Sequence, residues 1–204
     1  IVWPIQGPGD IRMLRDYPLK EGTAGEAKDH PHHRAMFIGH QGMNGANFWH
    51  NQHKNAGTVE HLKVIETWSG EDRALIQTLN AWKDSGGKII GADTRTLTFQ
   101  GDDDARILDL ELNMHATHED LIFEEFKDGF VGIRTHPDLR LTASPKYGVK
   151  KVYGKARNSE GGEGKGIWGK RAEWVHYYGT IEGKQAGIAF MSHPSNLTRK
   201  AEKS

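Results

Sequence analysis

The run Arg106-Ile107-Leu108-Asp109-Leu110-Glu111-Leu112-Asn113-Met114-His115-Ala116 constrains this chain most. Apolar and polar residues alternate along it, so Leu108, Leu110, Leu112, Met114 and Ala116 share one face and Asp109, Glu111, Asn113 and His115 the other. Only a half-buried β-strand satisfies that pattern. Thr94–Phe99, β-branched and aromatic, is joined to it through Gly101-Asp102-Asp103-Asp104 as a hairpin. Further strands are expected at Val2–Ile5, Ile11–Asp16, Val59–Trp68, Arg73–Trp82, Leu121–Phe126, Phe130–His136, Glu173–Tyr178 and Gln185–Ser192. Turn residues separate them at Ser85-Gly86-Gly87, Lys127-Asp128-Gly129 and Glu182-Gly183. Strands at this spacing predict an all-β chain, an antiparallel β-sandwich forming a single domain over 1–196, with a polar tail at 197–204.

Composition narrows the function classes. The 27 Lys+Arg balance the 27 Asp+Glu, which argues against a general nucleic-acid binder. There is no cysteine, hence no disulfide frame, iron–sulfur cluster or thiol nucleophile. No apolar run approaches the length of a membrane-spanning helix, and no membrane partner is expected. The residues leave the compartment open, with the periplasm or secretion favoured over the cytoplasm.

Two stretches break the strand rhythm. Residues 18–56 are rich in His, Gly and Asn, and contain Asp29-His30-Pro31-His32-His33-Arg34, then His40, Asn44 and Trp49. Read as extended, this segment puts His30 and His32 on one face and His33 on the other. Imidazoles grouped this way suit a general base, an anion or a metal. His32 or His33 is the expected base, with a pKa near the working pH, Asp29 its orienter and His40 a further catalytic candidate. No metal or other cofactor is favoured, because a second ligand cluster at zinc spacing is missing; a divalent ion, if bound, would take His30, His32 and His40.

The second stretch, residues 142–169, is rich in Gly and Lys. From 150 to 171 seven Lys and Arg face two Glu, a local surplus of positive charge on a neutral chain. Gly164, Gly166 and Gly169 spell a dinucleotide fingerprint, but the residues after them are strand-like, whereas that motif needs a helix. Trp168 beside Lys170 and Arg171 instead suits a sugar that carries a carboxylate or sulfate. Arg134 and His136 are neighbours on one strand face and form a further candidate anion grip. Residues 29–49 and 158–174 are expected to line one concave face.

Several motifs, in chain order, resemble an uncharacterised bacterial family labelled "methane oxygenase PmoA". They are Asp29-His30-Pro31-His32-His33-Arg34, Gly39-His40, Asn44-Gly45 with Phe48-Trp49, Gly132-Ile133-Arg134, Asn158-Ser159-Glu160-Gly161, Trp168-Gly169-Lys170-Arg171-Ala172 with Trp174-Val175, and His193-Pro194-Ser195-Asn196. The resemblance implies a carbohydrate-related β-sandwich from bacteria that degrade polysaccharides, similar in fold to galactose-mutarotase-like proteins. It departs at Ala35, where that family usually has Gly, and at Leu197-Thr198-Arg199-Lys200, so part of the family's C-terminal region is expected to be missing. The motif residues Arg34, Asn44, Trp49, Arg134, Glu160, Trp168, Lys170, Arg171 and His193, together with His136 beside Arg134, are then the expected substrate contacts.

The expected activity is proton abstraction from an acidic mono- or oligosaccharide, in a lyase, dehydratase or epimerase. The alternatives are a non-catalytic carbohydrate-binding module and a His-ligated metal-dependent hydrolase or oxygenase.

Overall fold

The computed structural model describes residues 1–21 and 25–196, so the expected tail at 197–204 lies outside the described residues. Among the described residues nine strands carry the fold: β1 (Met36–His40), β2 (Thr58–Ser69), β3 (Arg73–Lys83), β4 (Ile89–Gly101), β5 (Arg106–His115), β6 (Gly129–Ile133), β7 (Lys155–Asn158), β8 (Trp174–Ile181) and β9 (Lys184–Met191). Helix among the described residues is limited to 3-10 turns of three or four residues. Every strand pairing is antiparallel. The chain is therefore all-β, with antiparallel sheets of the sandwich type. No helix among the described residues is long and apolar enough to cross a membrane.

The chain divides into two compact units. The first comprises Ile1, Gly7–Asp10 and Met36–Ile133; the second comprises Val2–Gln6, Ile11–Ala35 and the chain from Arg134 onward.

In the first unit β1 pairs with β6, and β2-β3-β4-β5 form a four-stranded meander. The alternation of β5 is realised: Leu108, Leu110, Leu112 and Met114 are half-buried, while Asp109, Glu111, Asn113 and His115 are exposed. The β4–β5 turn closes because the Asp102 carboxylate accepts the N–H groups of Asp104 and Ala105, both at 2.9 Å. Met43, Ala46, Trp82 and Ile90 form the core, flanked by Ile38, Phe48, Met114 and Leu121. Beside it the fully buried Asp93 accepts hydrogen bonds from Asn80 Nδ2 (2.9 Å), Trp82 Nε1 (2.7 Å) and Arg95 (3.0 Å). A buried carboxylate is tolerated only when its lone pairs are filled in this way.

In the second unit β7, β8 and β9 form a three-stranded sheet. Glu182 and Gly183, at φ 50° and 81°, make the two-residue turn between β8 and β9. Met13, Leu139 and Ile181 are its core, with Ile5, Ile11, Ala186 and Ile188 packed against them.

Three expected strands are not strands. Val2–Ile5, Ile11–Asp16 and Leu121–Phe126 make isolated bridges only. Around Leu121–Phe126 a side chain takes a ladder position, since Ile122 N–H donates to Asn44 Oδ1 at 2.9 Å. Conversely, β1 and β7 lie inside the stretches read as loops. β7 is four residues long and buries only Ala156 and Asn158, which leaves little apolar pattern to detect.

Ala35 is fully buried at φ 56°, in the left-handed region. A methyl there is a modest strain, whereas a β-branched side chain is not accommodated. Ala35→Val should lower stability by about 1–3 kcal/mol in urea denaturation, through αL strain and overpacking. Ala35→Gly should keep the wild-type midpoint within a few tenths of a molar; an equal loss in both variants would contradict this account.

Candidate functional site

The candidate site lies in the second unit and is organised by one guanidinium. Arg15 is held next to the 134–136 segment because its N–H donates to Arg134 O at 2.9 Å and His136 N–H donates to Met13 O at 2.7 Å. Its side chain, 3 % exposed, donates to the carbonyls of Ala27 (2.9 Å), Asp29 (3.1 Å), His30 (3.4 Å) and His33 (3.1 Å), and to Asp29 Oδ1 at 2.5 Å. The His-rich loop is thus wrapped around Arg15.

Three guanidiniums converge on the buried Asp29. Arg15 and Arg134 reach Oδ1 at 2.5 and 2.6 Å, and Arg140 lies 3.8 Å from Oδ2. Burial alone would raise the Asp29 pKa, but Arg134, Arg15 and Arg140 outweigh it and hold the carboxyl below its ordinary 3.8. Burial, then repulsion from Arg15 and Arg140, pushes Arg134 down to about 10. Asp29 is therefore shared by three cations, with Glu26 adding an attraction to Arg15, and two of them, Arg134 and Arg140, keep 23 % and 17 % of their side chains open to solvent.

The histidines form a compact trio. His33 N–H donates to His30 O at 2.9 Å, closing a turn over residues 30–33 with Pro31 at its second position. This corrects the extended reading of the segment: His30 sits at φ 44°, and the turn brings His30 and His33 face to face, 5.1 Å apart and 7° from parallel. His32 stands edge-on to both, at 4.3 Å from His33 and 5.7 Å from His30. Burial, followed by His32, Arg134, His30 and Arg15, lowers the His33 pKa to about 3. His33 is consequently neutral at working pH, which differs from the near-neutral pKa expected of a base there. The imidazole beside the Asp29 carboxylate is His30, Nδ1 3.4 Å from Oδ2, with 53 % of its side chain exposed.

A second polar knot sits in the same unit. Arg12 donates to Glu26 at 2.6 Å and to His136 Nε2 at 3.0 Å, and Glu26 also accepts the N–H groups of Asp16 and Tyr17 at 2.8 Å. Arg134 and His136, expected as one anion grip, thus have different partners.

The remaining expected residues fall as follows. Arg34 is exposed. His40, Asn44 and Trp49 belong to the first unit. His40 is buried, with Nδ1 2.8 Å from Gly42 O and its ring against Phe123 and Phe130. Asn44 spends both ends of its amide on backbone, donating to Asp120 O and accepting from Ile122 N–H, each at 2.9 Å. Trp49 packs edge-on to Phe37 at 4.8 Å. In the second unit Glu160 accepts from Ser159 Oγ at 2.8 Å, and His193 Nδ1 lies 2.7 Å from Ser195 Oγ. Trp168 is 84 % exposed, and Lys170 and Arg171 are exposed beside it. Among the described residues, no three His, Asp or Glu side chains are grouped to hold a metal ion. Arg15, Arg140, Arg12 and Glu26 were not singled out from sequence. The signal available was a charged residue, Arg15, ending the largely apolar run Ile11-Arg12-Met13-Leu14.

Residues 1–203 match the family of unknown function DUF6807, and the chain belongs to that family. No curated protein matches the chain. No solved structure matches it either.

Two outcomes follow from the cluster. Asp29→Asn, which leaves Arg15 buried and unneutralised, should cost about 3–5 kcal/mol in urea denaturation. An unchanged midpoint would show that the arginines do not depend on Asp29. The His33 pKa is depressed in the folded state, so the unfolded chain binds the extra proton. Stability is then complete above pH 6.5 and declines as pH falls from there towards about 3. His136 and His176, also lowered chiefly by burial, act in the same direction. His33→Gln should flatten the dependence of the urea midpoint on pH over this range; an identical slope would contradict the assignment.

Proposed function

We propose that this protein is a carbohydrate-active enzyme that abstracts a proton from an acidic sugar, in a lyase, dehydratase or epimerase reaction. The observation that carries the reading is the excess of guanidinium over carboxylate at Asp29, open to solvent at Arg134 and Arg140. A sugar carboxylate supplies the missing negative charge through paired, charge-assisted bonds. The proton α to that carboxylate is made acidic by the same guanidiniums, which stabilise the enolate as it forms. His30 is the proposed base: its Nδ1 faces Asp29, leaving Nε2 for the substrate, and Asp29 stabilises the imidazolium that results. Loss of a β-substituent then gives an unsaturated product, while return of a proton to the other face gives the epimer. The neutral His33, stacked on His30, holds that ring in orientation.

The resemblance to the family labelled "methane oxygenase PmoA" supports a carbohydrate setting, with polysaccharide degradation in the periplasm or outside the cell. A second reading, binding of an acidic glycan without turnover, is favoured by the exposed indole of Trp168 next to Lys170 and Arg171.

The test is exchange of the α proton in D₂O, followed by NMR, together with ultraviolet detection of unsaturated product, across a panel of uronates. Turnover should survive dialysis against chelator. His30→Ala should lower kcat by roughly 10²–10⁴-fold with little change in KM, and Arg140→Lys should mainly raise KM. Acidic sugars that bind without exchange or elimination would establish the second reading; chelator-sensitive turnover would replace both with a metal-dependent reaction.

A further inference from the structure

The three-stranded sheet of the second unit has one face packed and one face open. Ala186, Ile188 and Ile181 turn inward onto Met13 and Leu139. Side chains alternate along a strand and residues directly opposite one another share a face, so the outward set follows from the register. It consists of Lys155 and Arg157 on β7, Trp174, His176, Tyr178 and Thr180 on β8, and Gln185, Gly187, Ala189 and Met191 on β9. Three rings lie in a row along the central strand, two cations flank them on one side, and two small residues flank them on the other. None of these strand residues is acidic; Glu163, opposite Arg157 in an isolated antiparallel bridge, borders the face at its edge.

The side chains are arranged as a surface. His176 stacks on Tyr178 with centroids 4.9 Å apart and planes 23° from parallel. The Arg157 guanidinium carbon lies 5.7 Å from the Tyr178 ring centre. His176 reaches over β9, where a Cβ on Gly187 would stand 2.5 Å from its Nε2. Glycine there lets the imidazole cross the strand. Both cations are exposed, as are Gly187 and Ala189, while the three rings are half-buried. Aromatic residues in an ordinary sheet of this size belong on the packed side; here they face outward beside two cations, with Glu163 the single acid bordering them among the residues paired with this sheet.

We propose that this outer face of β7–β8–β9 binds the chain of an acidic polysaccharide, sugar rings stacking on Trp174, His176 and Tyr178 and carboxylates or sulfates pairing with Lys155 and Arg157. Charge complementarity selects the occupant, and the row from Trp174 to Tyr178 spans about 14 Å, room for more than one pyranose ring. The choice of an acidic glycan rests on the acidic-sugar reading of the Asp29 cluster. Single-stranded nucleic acid also stacks on aromatic rings, but it is held by a longer cationic track than two side chains on a neutral chain.

The experiment compares retention on polygalacturonate, heparin, a neutral glucan and poly-dT, using affinity electrophoresis and calorimetry on the whole chain. The expected result is binding to polygalacturonate or heparin that weakens with salt, and little to the glucan or poly-dT. Tyr178→Ala and Arg157→Gln should each reduce that affinity about tenfold. Arg157 is exposed, so its variant tests the face even where Tyr178→Ala unfolds. α-Proton exchange on a monomeric uronate should persist in Arg157→Gln, which separates this face from the Asp29 cluster. Polymer binding without exchange leaves the inference standing and removes the catalytic reading. Wild-type affinity in Arg157→Gln, no binding to either acidic polymer, or equal binding to poly-dT would each overturn the inference.

Discussion

The second unit depends on a single buried carboxylate. Asp29 meets Arg15, Arg134 and Arg140, which come from two separate stretches of chain, and none of the four could be buried alone without a large desolvation cost. Their association fixes the path of residues 27–33, because the side-chain hydrogen bonds Arg15 makes beyond Asp29 Oδ1 end on backbone carbonyls of that loop. Regular secondary structure contributes little here. The loop is held by a side chain in place of a ladder, so a polar cluster does the structural task that apolar packing performs around Trp82.

That arrangement explains why charge is distributed so unevenly on a chain with no net charge. Where structure alone is required, acids and bases are matched, as at Asp93 with Arg95 or Glu26 with Arg12. At Asp29 the matching is incomplete, and on the outer face of β7–β8–β9 two cations have one bridged acid, Glu163, at the edge. Unmatched cations repel one another, a cost that an anionic ligand would relieve.

The strands were legible because a period of two survives in any single sequence: β5 alternates without a break, and the Asp102 and Glu182-Gly183 turns carry their own local chemistry. β1 was hidden because four of its five residues are buried, which erases alternation. The candidate site was legible only in part. Asp29 and the histidines stood out by composition, yet the turn over residues 30–33 and the choice of His30 as the carboxylate's neighbour depend on Arg15, a partner 14 residues upstream of Asp29. Arg134 and Arg140, more than a hundred residues away, add contacts that no local pattern encodes. Spacing along a strand predicted Arg134 and His136 as a pair, but their partners draw them to different acids and bases.

Asn44-Gly45 shows how geometry can govern chemical ageing. An Asn followed by Gly is the sequence most prone to deamidation, in which the glycine nitrogen attacks the side-chain amide to form a succinimide. Here Asn44 and Gly45 occupy the two central positions of a tight turn, at φ 49° and 77°. The attacking N–H of Gly45 is engaged by Glu124 Oε1 at 2.7 Å, and the amide under attack is anchored at both ends by Asp120 and Ile122. Conversion to a carboxylate would set a negative oxygen against the Asp120 carbonyl, and the isoaspartate would lengthen the turn by one backbone atom. The folded chain therefore protects its most labile amide, and the integrity of that bond over time becomes a clock for how often this turn opens.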